Sequence, residues 1–525
     1  MESKKENTGR ISLDAKIEKL DNELGDKNKS ELQKYILGLM FYRFLSIQLE
    51  QHINNLLTDD NLNYIEAWED NEYKDDIVEE LLSNLGYVIE PQFLWSNFIE
   101  IIKKDCYDNE FLSKALTSFN DYVLMGESKK VFFDIFSNLI LTSSYIGGDE
   151  RERSSYISNL MCKIENLDIE TKYLGDFFEL VYNYYSLLVG KNKAGDFYTS
   201  PSISKLIAKL SSWDTNSEKT IQRVRDLYDP ACGSSSLLVS VSKELPNVFF
   251  FRGQDISVSA TNFSKMNLLI HGTNYKQIDI HWSKEGTLKN PCNEHMNMNF
   301  DLIVSDFQFS QKWGSEKEHA RDERFNGYPC IVTGGNSDFA FLQHMIYLLS
   351  EQGKMIVHCP HGVLFRGEKE GEIRKYLVKK NRIETIISLP EKITTKNSPS
   401  TCIIVFNKCK KTEDILFINA SQFYTKEKSL NLLSDESINT IFNLYCNRDD
   451  TTKLVKKVYL DEIENNDFNL NIPRYVDTFE EEPEVDIEFI LNEIENLEKE
   501  REMLDKQIKA FLEELKVGKY GKNKQ

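Results

Sequence analysis

The segment Leu227-Tyr228-Asp229-Pro230-Ala231-Cys232-Gly233-Ser234 has the residue types and spacing to hold a nucleoside. A turn of small residues that follows an apolar β-type run and opens a helical one lets a ligand come close to the backbone. A second acid, Asp255, follows Val248–Phe251 about one strand–helix–strand step downstream, where a carboxylate accepts hydrogen bonds from ribose hydroxyls. Taken alone, a turn of this kind is more often an ordinary strand-to-helix connection. The chain has no G-x-G-x-x-G for a dinucleotide and no P-loop lysine for a nucleoside triphosphate, so the pair points to an adenosine-type cofactor without a triphosphate. His361 has no Ser or Cys nucleophile motif beside it and reads as a structural residue of its own turn.

Such a site needs a parallel sheet to carry it. Short β-rich runs at Val224–Tyr228, Val248–Phe251, Leu302–Val304, Met355–Val357, Glu384–Ser388 and Thr401–Phe406 alternate with helical stretches. The helices are expected at Ser235–Lys243, Ser259–Leu269, Phe339–Leu349 and Gly371–Lys380. This alternation predicts a doubly wound α/β domain over residues 171–420. Ahead of it, Leu32, Tyr35, Ile36, Leu39, Met40, Leu45 and Leu49 recur at helical spacing, and similar patterns follow at Ile77–Leu85, Phe132–Leu141 and Tyr156–Ile164. Residues 1–170 are therefore expected to form an N-terminal helical domain. After a C-terminal extension over 421–484, Ile487, Ile490, Ile494, Leu497, Arg501, Leu504, Ile508, Phe511 and Leu515 step by three and four, which predicts a coiled-coil-like helix over 485–517. That strip wants either a partner helix or a place against its own domain.

With 525 residues, 40% of them apolar, the chain can bury more than one core. Its formal charge of −20 argues against a surface that grips phosphate everywhere, so any DNA contact is local or shared. The cluster Arg374, Lys375, Lys379, Lys380 and Arg382 is either a solvated helix face or a phosphate contact. Nine scattered cysteines without a Cys-x-x-Cys pair fit a reducing compartment, and no metal site is expected. With no signal-peptide core and no run of roughly 18 apolar residues, the expectation is a cytoplasmic protein without a membrane partner.

Several stretches carry a further likeness. Asp229-Pro230-Ala231-Cys232-Gly233-Ser234 resembles motif I of the amino-methyltransferases, and Gly195-Asp196-Phe197-Tyr198-Thr199 is similar to the segment that precedes it in type I modification subunits. Phe41-Tyr42-Arg43-Phe44-Leu45, the run from Pro360 to Gly367, and the run from Asn471 to Val476 look like the same family. The chain thus resembles the modification subunit of type I restriction-modification systems, an N6-adenine DNA methyltransferase. The resemblance implies a Rossmann-like methyltransferase domain and S-adenosylmethionine as cofactor, held by Tyr198, Thr199, Asp229, Ala231, Gly233, Ser234 and Asp255. It also implies DNA, a specificity subunit, a second copy of the chain and an ATP-dependent restriction subunit as partners, with the C-terminal helix docking on the specificity subunit.

In that family Asn-Pro-Pro-Phe/Tyr after the fourth strand accepts the hydrogens of the exocyclic amine and stacks on the flipped base. The matching residues here are Asp306-Phe307-Gln308-Phe309, which implies Asp306 as the acceptor, Phe309 as the stacking ring and Phe307 as part of the same catalytic loop. Both prolines, which would fix the loop's φ, are missing. Ser235 stands where glycine is usual, Gly286 stands where an acid precedes Thr-Leu and leaves Glu285 as the nearby carboxylate, and Thr394 and Thr395 replace an aromatic pair. Pro201 sits one place later than in the family's Tyr-Thr-Pro. Two readings follow: a working methyltransferase, or a catalytically degenerate subunit that keeps the fold and the assembly surfaces.

Overall fold

The computed structural model describes residues 2–25, 28–60, 62–190, 200–245, 247–333, 335–393, 400–427, 430–477 and 487–520. The chain divides into two units, residues 1–476 and 477–525.

The first part of the larger unit is helical. Its central helix, Lys29–Leu56, starts where the Asn28 side chain accepts from the Ser30 N–H and buries Leu32, Tyr35, Ile36, Leu39, Met40, Leu45 and Leu49 as the spacing predicted. Helices Asn71–Asn84 and Glu150–Glu165 cover two more of the expected stretches. The third is a correction. Helix Lys129–Phe132 stops after one turn, and Phe133 to Leu141 runs on in successive turns. Asp134 adopts φ +56°, its N–H is taken by Asn120 Oδ1 at 3.2 Å, and the turns bury Phe132, Ile135, Phe136 and Leu139 while leaving Phe133 and Ile140 exposed.

The rest of the unit is built on a nine-stranded sheet. Its strands are β1 Val224–Asp229, β2 Val248–Asp255, β3 Ile278–Trp282, β4 Phe300–Ser305, β5 Leu349–Pro360, β6 Ile383–Ser388, β7 Thr401–Asn407, β8 Ile415–Asn419 and β9 Val455–Val458. They lie in the order β9-β8-β6-β7-β5-β4-β1-β2-β3, all parallel except β7 and β9. Crossover helices Ser236–Glu244, Val258–Ile270, Asp338–Leu348 and Glu368–Lys379 lie within two or three residues of their expected ends. Three strands escaped sequence reading. β3 reads Ile-Asp-Ile-His-Trp at a sheet edge, with Asp279 and His281 on one face, β8 is a short apolar run among polar segments, and β9 reads Val-Lys-Lys-Val, too short and too polar to stand out.

Buried charges brace inner strands of this sheet. Glu384 on β6 is 1% exposed and accepts from Tyr445 Oη at 2.6 Å, Asn407 Nδ2 at 2.8 Å and Thr215 Oγ1 at 2.7 Å. One carboxylate thereby joins β6, β7, helix Asp435–Asn447 and the loop after helix Pro201–Ser211. Lys354 on β5 donates to the carbonyls of Leu210 and Trp213, each at 2.7 Å, and burial lowers its pKa to about 8.

The smaller unit is described by one helix, Ile487–Tyr520. Leu491, Ile494, Leu497, Leu504, Ile508 and Phe511 along it are each at least 47% exposed. No helix among the described residues is long and apolar enough to cross a membrane.

Tyr445→Phe removes the hydroxyl donor from a buried carboxylate whose other partners remain, and a bond to a charged group contributes about 1.5–3 kcal/mol. A fall in stability of that size is expected in urea unfolding, with cofactor binding unchanged.

Candidate functional site

β1, β2 and β4 run parallel and finish on one edge of the sheet, and β1 lies between the other two. Chain order reverses there, the place where open α/β sheets bind ligands. Three acids sit at these strand ends. Asp229 is 2% exposed, and its Oδ1 accepts from the Ala231 N–H at 3.0 Å and from Ser305 Oγ at 2.9 Å. One carboxylate therefore shapes its own turn and pins the end of β4. Burial pushes the Asp229 carboxyl up to about 7; the two hydrogen bonds oppose the rise and the charges of Asp306 and Asp255 add to it.

Asp255 clasps the same turn from β2. Its Oδ2 accepts from the Gly233 N–H and its Oδ1 from the Ser257 N–H, both at 2.9 Å, while burial raises its pKa. Gly233 has φ +52°, and a Cβ added there would meet nothing within 4 Å, so the turn's outer side is open to a ligand. Ser235 stays in the left-handed region at φ +60°, a conformation that costs a non-glycine residue roughly 1–2 kcal/mol. Its hydroxyl shares a buried hydrogen bond with Ser264 Oγ, which offsets part of that cost. The serine therefore keeps the backbone path a glycine would take.

The residues after β3 form a wall beside the turn. Thr287 Oγ1 donates to the Pro230 carbonyl, while Glu285 is exposed two residues earlier, next to Gly286 at φ +74°. Arg324 is buried behind this wall, donating to the carbonyls of Thr287 at 3.2 Å and Leu288 at 2.6 Å and pairing with Asp322 at 2.6 Å. Its Nη1 also meets His344 Nδ1 at 3.1 Å, and a guanidinium only donates, so that nitrogen accepts. His344 is thus neutral, as its burial also requires, and its Nε2 donates to Tyr228 Oη at 3.2 Å, one residue before Asp229.

Asp306 to Phe309 leave the end of β4 directly beside this turn. Asp306 is 4% exposed, and its Oδ1 pairs with His358 Nδ1 of β5 at 2.7 Å. Asp306 Oδ2 and His358 Nε2 are buried without a hydrogen-bond partner. Phe309 is half-buried with its ring edge-on to His358, at 5.3 Å between centroids. Phe307 is wholly buried and stacks on Phe341 at 4.6 Å, so its ring packs the core. In place of the missing prolines, the Ser310 N–H donates to Asp338 Oδ1 at 2.7 Å and the Gln311 N–H to Ser337 Oγ at 3.1 Å, while Arg366 holds Asp338 Oδ2 at 3.0 Å.

The family model for N-6 DNA Methylase matches residues 170–484, and that for the HsdM N-terminal domain matches residues 13–164. The chain belongs to the N-6 DNA methylase family. It is 27% identical to the type I restriction enzyme MpnII methylase subunit of Mycoplasma pneumoniae, over 95% of this chain and 96% of that one. The MjaVII methylase subunit of Methanocaldococcus jannaschii is 30% identical over 71% of this chain and 65% of its own length. The type I restriction-modification methyltransferase subunit from Streptococcus thermophilus superposes with a TM-score of 0.80 at 27% identity, covering 89% of this chain and 98% of that one. These relatives are type I methylase subunits, and the methyl donor is S-adenosylmethionine.

The described residues fit that cofactor. The open side of Gly233 admits it to the backbone, Asp255 stands at the end of β2 with lone pairs left for hydroxyls, and Ile256 and Trp282 expose apolar surface next to Asp255 for a planar base. Of the expected site residues, Tyr198, Thr199, Thr394 and Thr395 lie outside the described residues. Ser305, Thr287 and His358 were missed by sequence reading. Ser305 and His358 look like strand interior, and the Thr287 hydroxyl shows its role only once it faces Pro230. Within the basic cluster, Arg374 is taken out of the phosphate reading: it is buried and donates to the carbonyls of Phe468, Val363 and Arg366, with its pKa lowered to about 10 by that burial.

Folded Asp229 keeps its proton to about pH 7, whereas an unfolded aspartic acid loses it near 4. Across that window the folded state holds the extra proton, so the contribution is fully present below about pH 4 and is lost as pH rises through 7. Asp229→Asn should flatten the fall in stability between pH 4 and 7 by up to about 4 kcal/mol, read from denaturation midpoints of both proteins at each pH.

Proposed function

We propose that this chain is the modification subunit of a type I restriction-modification system and methylates adenine N6 in DNA. The observation that carries this reading is the Ser305–Asp229 hydrogen bond, which brings the Asp229–Ser234 turn and the Asp306–Phe309 loop to one point of the sheet edge. Asp229, Ala231, Gly233, Ser234, Asp255 and Glu285 surround the cofactor, with Tyr198 and Thr199 assigned by their match to the family motif. Bound S-adenosylmethionine supplies an electrophilic sulfonium methyl. The chain's own task is to position a poor nucleophile, because the exocyclic lone pair is delocalised into the ring. Asp306 accepts an amine hydrogen and Phe309 stacks on the base. Asp306 Oδ2 is covered, so the loop opens to admit the base, and His358 keeps the carboxylate's other oxygen fixed.

The acidic surface suits a subunit that shares DNA with others: a specificity subunit, a second copy of this chain and an ATP-dependent restriction subunit. The exposed apolar row on helix Ile487–Tyr520 supports docking on the specificity subunit. A degenerate, purely structural subunit is the second reading, favoured by the enclosure of Asp306 against His358 and the absence of both prolines.

Co-expression with the cognate specificity subunit should yield N6-methyladenine in host DNA by single-molecule sequencing. Asp306→Ala should lower methylation about 100-fold or more while leaving S-adenosylmethionine affinity unchanged. Cofactor binding without any methylation by the assembled wild type would establish the degenerate reading. A chain truncated from Val485 onward should fail to co-elute with the specificity subunit in size-exclusion chromatography; an intact complex would reject the docking role.

A further inference from the structure

Behind the cofactor wall, β3 and the short helix Asn293–Met296 bring together two imidazoles and a thiol that the methyltransferase reading does not use. His281 comes from the edge strand, Cys292 caps the helix and His295 lies on it, and one ligand atom from each lies within 4.8 Å of the others. We propose that His281, Cys292 and His295 form a binding site for a zinc-class divalent ion. Two nitrogens and a sulfur are the donor set such an ion prefers, with a fourth position for water or a carboxylate.

His295 points to the ligand independently. Its side chain is 1% exposed, yet neither ring nitrogen makes a hydrogen bond; Nε2 faces Asp279 Oδ2 at 3.3 Å outside bonding geometry. The ring sits between Tyr228, Phe300 and the edge of His281; Nε2 has only the Asp279 carboxylate near it, and Nδ1 is buried without a hydrogen-bond partner, which an ion would supply. The surroundings are those of a ligated site. Asp279, itself tied to Arg252, holds His281 Nε2 at 2.7 Å, the kind of carboxylate partner that orients metal-bound imidazoles.

The ion would be structural, and its place says what it steadies. Gln254 of β2 takes the Cys292 N–H on its Oε1 at 2.9 Å and donates to the Asn290 carbonyl at 2.8 Å, one residue before Asp255. The same loop carries Thr287, bonded to Pro230. An ion there would tie β3 to the segment after Asn290, which is already hydrogen-bonded to β2 through Gln254 and follows the wall that abuts the turn.

Cobalt(II) is the probe. The full-length protein, stripped with chelator and titrated with Co2+, should bind one equivalent with thiolate-to-cobalt charge transfer and the visible bands of a four-coordinate ion, both removed by Zn2+. Cys292→Ser and His281→Gln lie on the less buried side and should keep the wild-type circular dichroism; the serine variant should lose the charge-transfer band. Asp279→Asn should weaken binding about 10- to 100-fold, as loss of an outer carboxylate does. Absence of saturable Co2+ binding by the wild type, or the same charge-transfer band from Cys292→Ser, would overturn the site.

Discussion

The hydrogen bond between Ser305 and Asp229 is the constraint on which the site depends. The backbone ladder between β1 and β4 covers only Leu227 with Leu302 and Tyr228 with Ile303, and beyond it the strands part toward the crevice. A side-chain bond takes over where the ladder ends, and so the cofactor turn and the loop from Asp306 cannot drift apart. The same arrangement places three carboxyl groups near one another with little solvent. Asp229 responds by holding its proton to near neutrality, the behaviour of a buried acid whose neighbours are also acidic. The site is thus electrically tense around an opening suited to a cationic guest.

Its second support is a polar chain behind the wall. Asp322, Arg324, His344 and Tyr228 connect in sequence, and Arg324 also grips the carbonyls of Thr287 and Leu288. Each member fixes the protonation or orientation of the next: the guanidinium forces His344 to accept on Nδ1, which makes Nε2 a donor to Tyr228. Networks of this kind stand or fall together, because an unpaired buried polar group costs more than its bond contributes. The Asp306 loop, which contains no proline, is held differently, by Ser337, Asp338 and Arg366.

Much of the fold was legible in the sequence. Apolar β-branched runs such as Ile383–Ser388 and Thr401–Asn407 are buried along their whole length and cannot be mistaken for surface. The stretch from Phe132 to Leu141 misled because consecutive turns can bury side chains at helix-like spacing, here Phe132, Ile135, Phe136 and Leu139, without a helical backbone. β3 was lost because Asp279 and His281 dilute its pattern. The local strand–turn–helix grammar put Asp229, Gly233 and Asp255 together, as the structure does, and Ser235, which stands where glycine is usual, keeps a left-handed backbone. His358 and Arg324 were not, since each works by contact with residues tens of positions away. Phe307 and Phe309 differ by two residues, and only packing against Phe341 separates the core ring from the one beside His358.

The antiparallel insertion of β7 between β5 and β6 has a consequence for how such a protein diversifies. β6 ends and β7 begins on the edge where β1, β2 and β4 also end, so the connection from Ser388 to Thr401 leaves and re-enters the sheet at the rim of the crevice. Chain added or removed there changes loop closure only logarithmically and leaves every ladder pair in register. The framework can therefore be recut at its mouth to embrace a different guest, while the buried strands beneath go on folding as before.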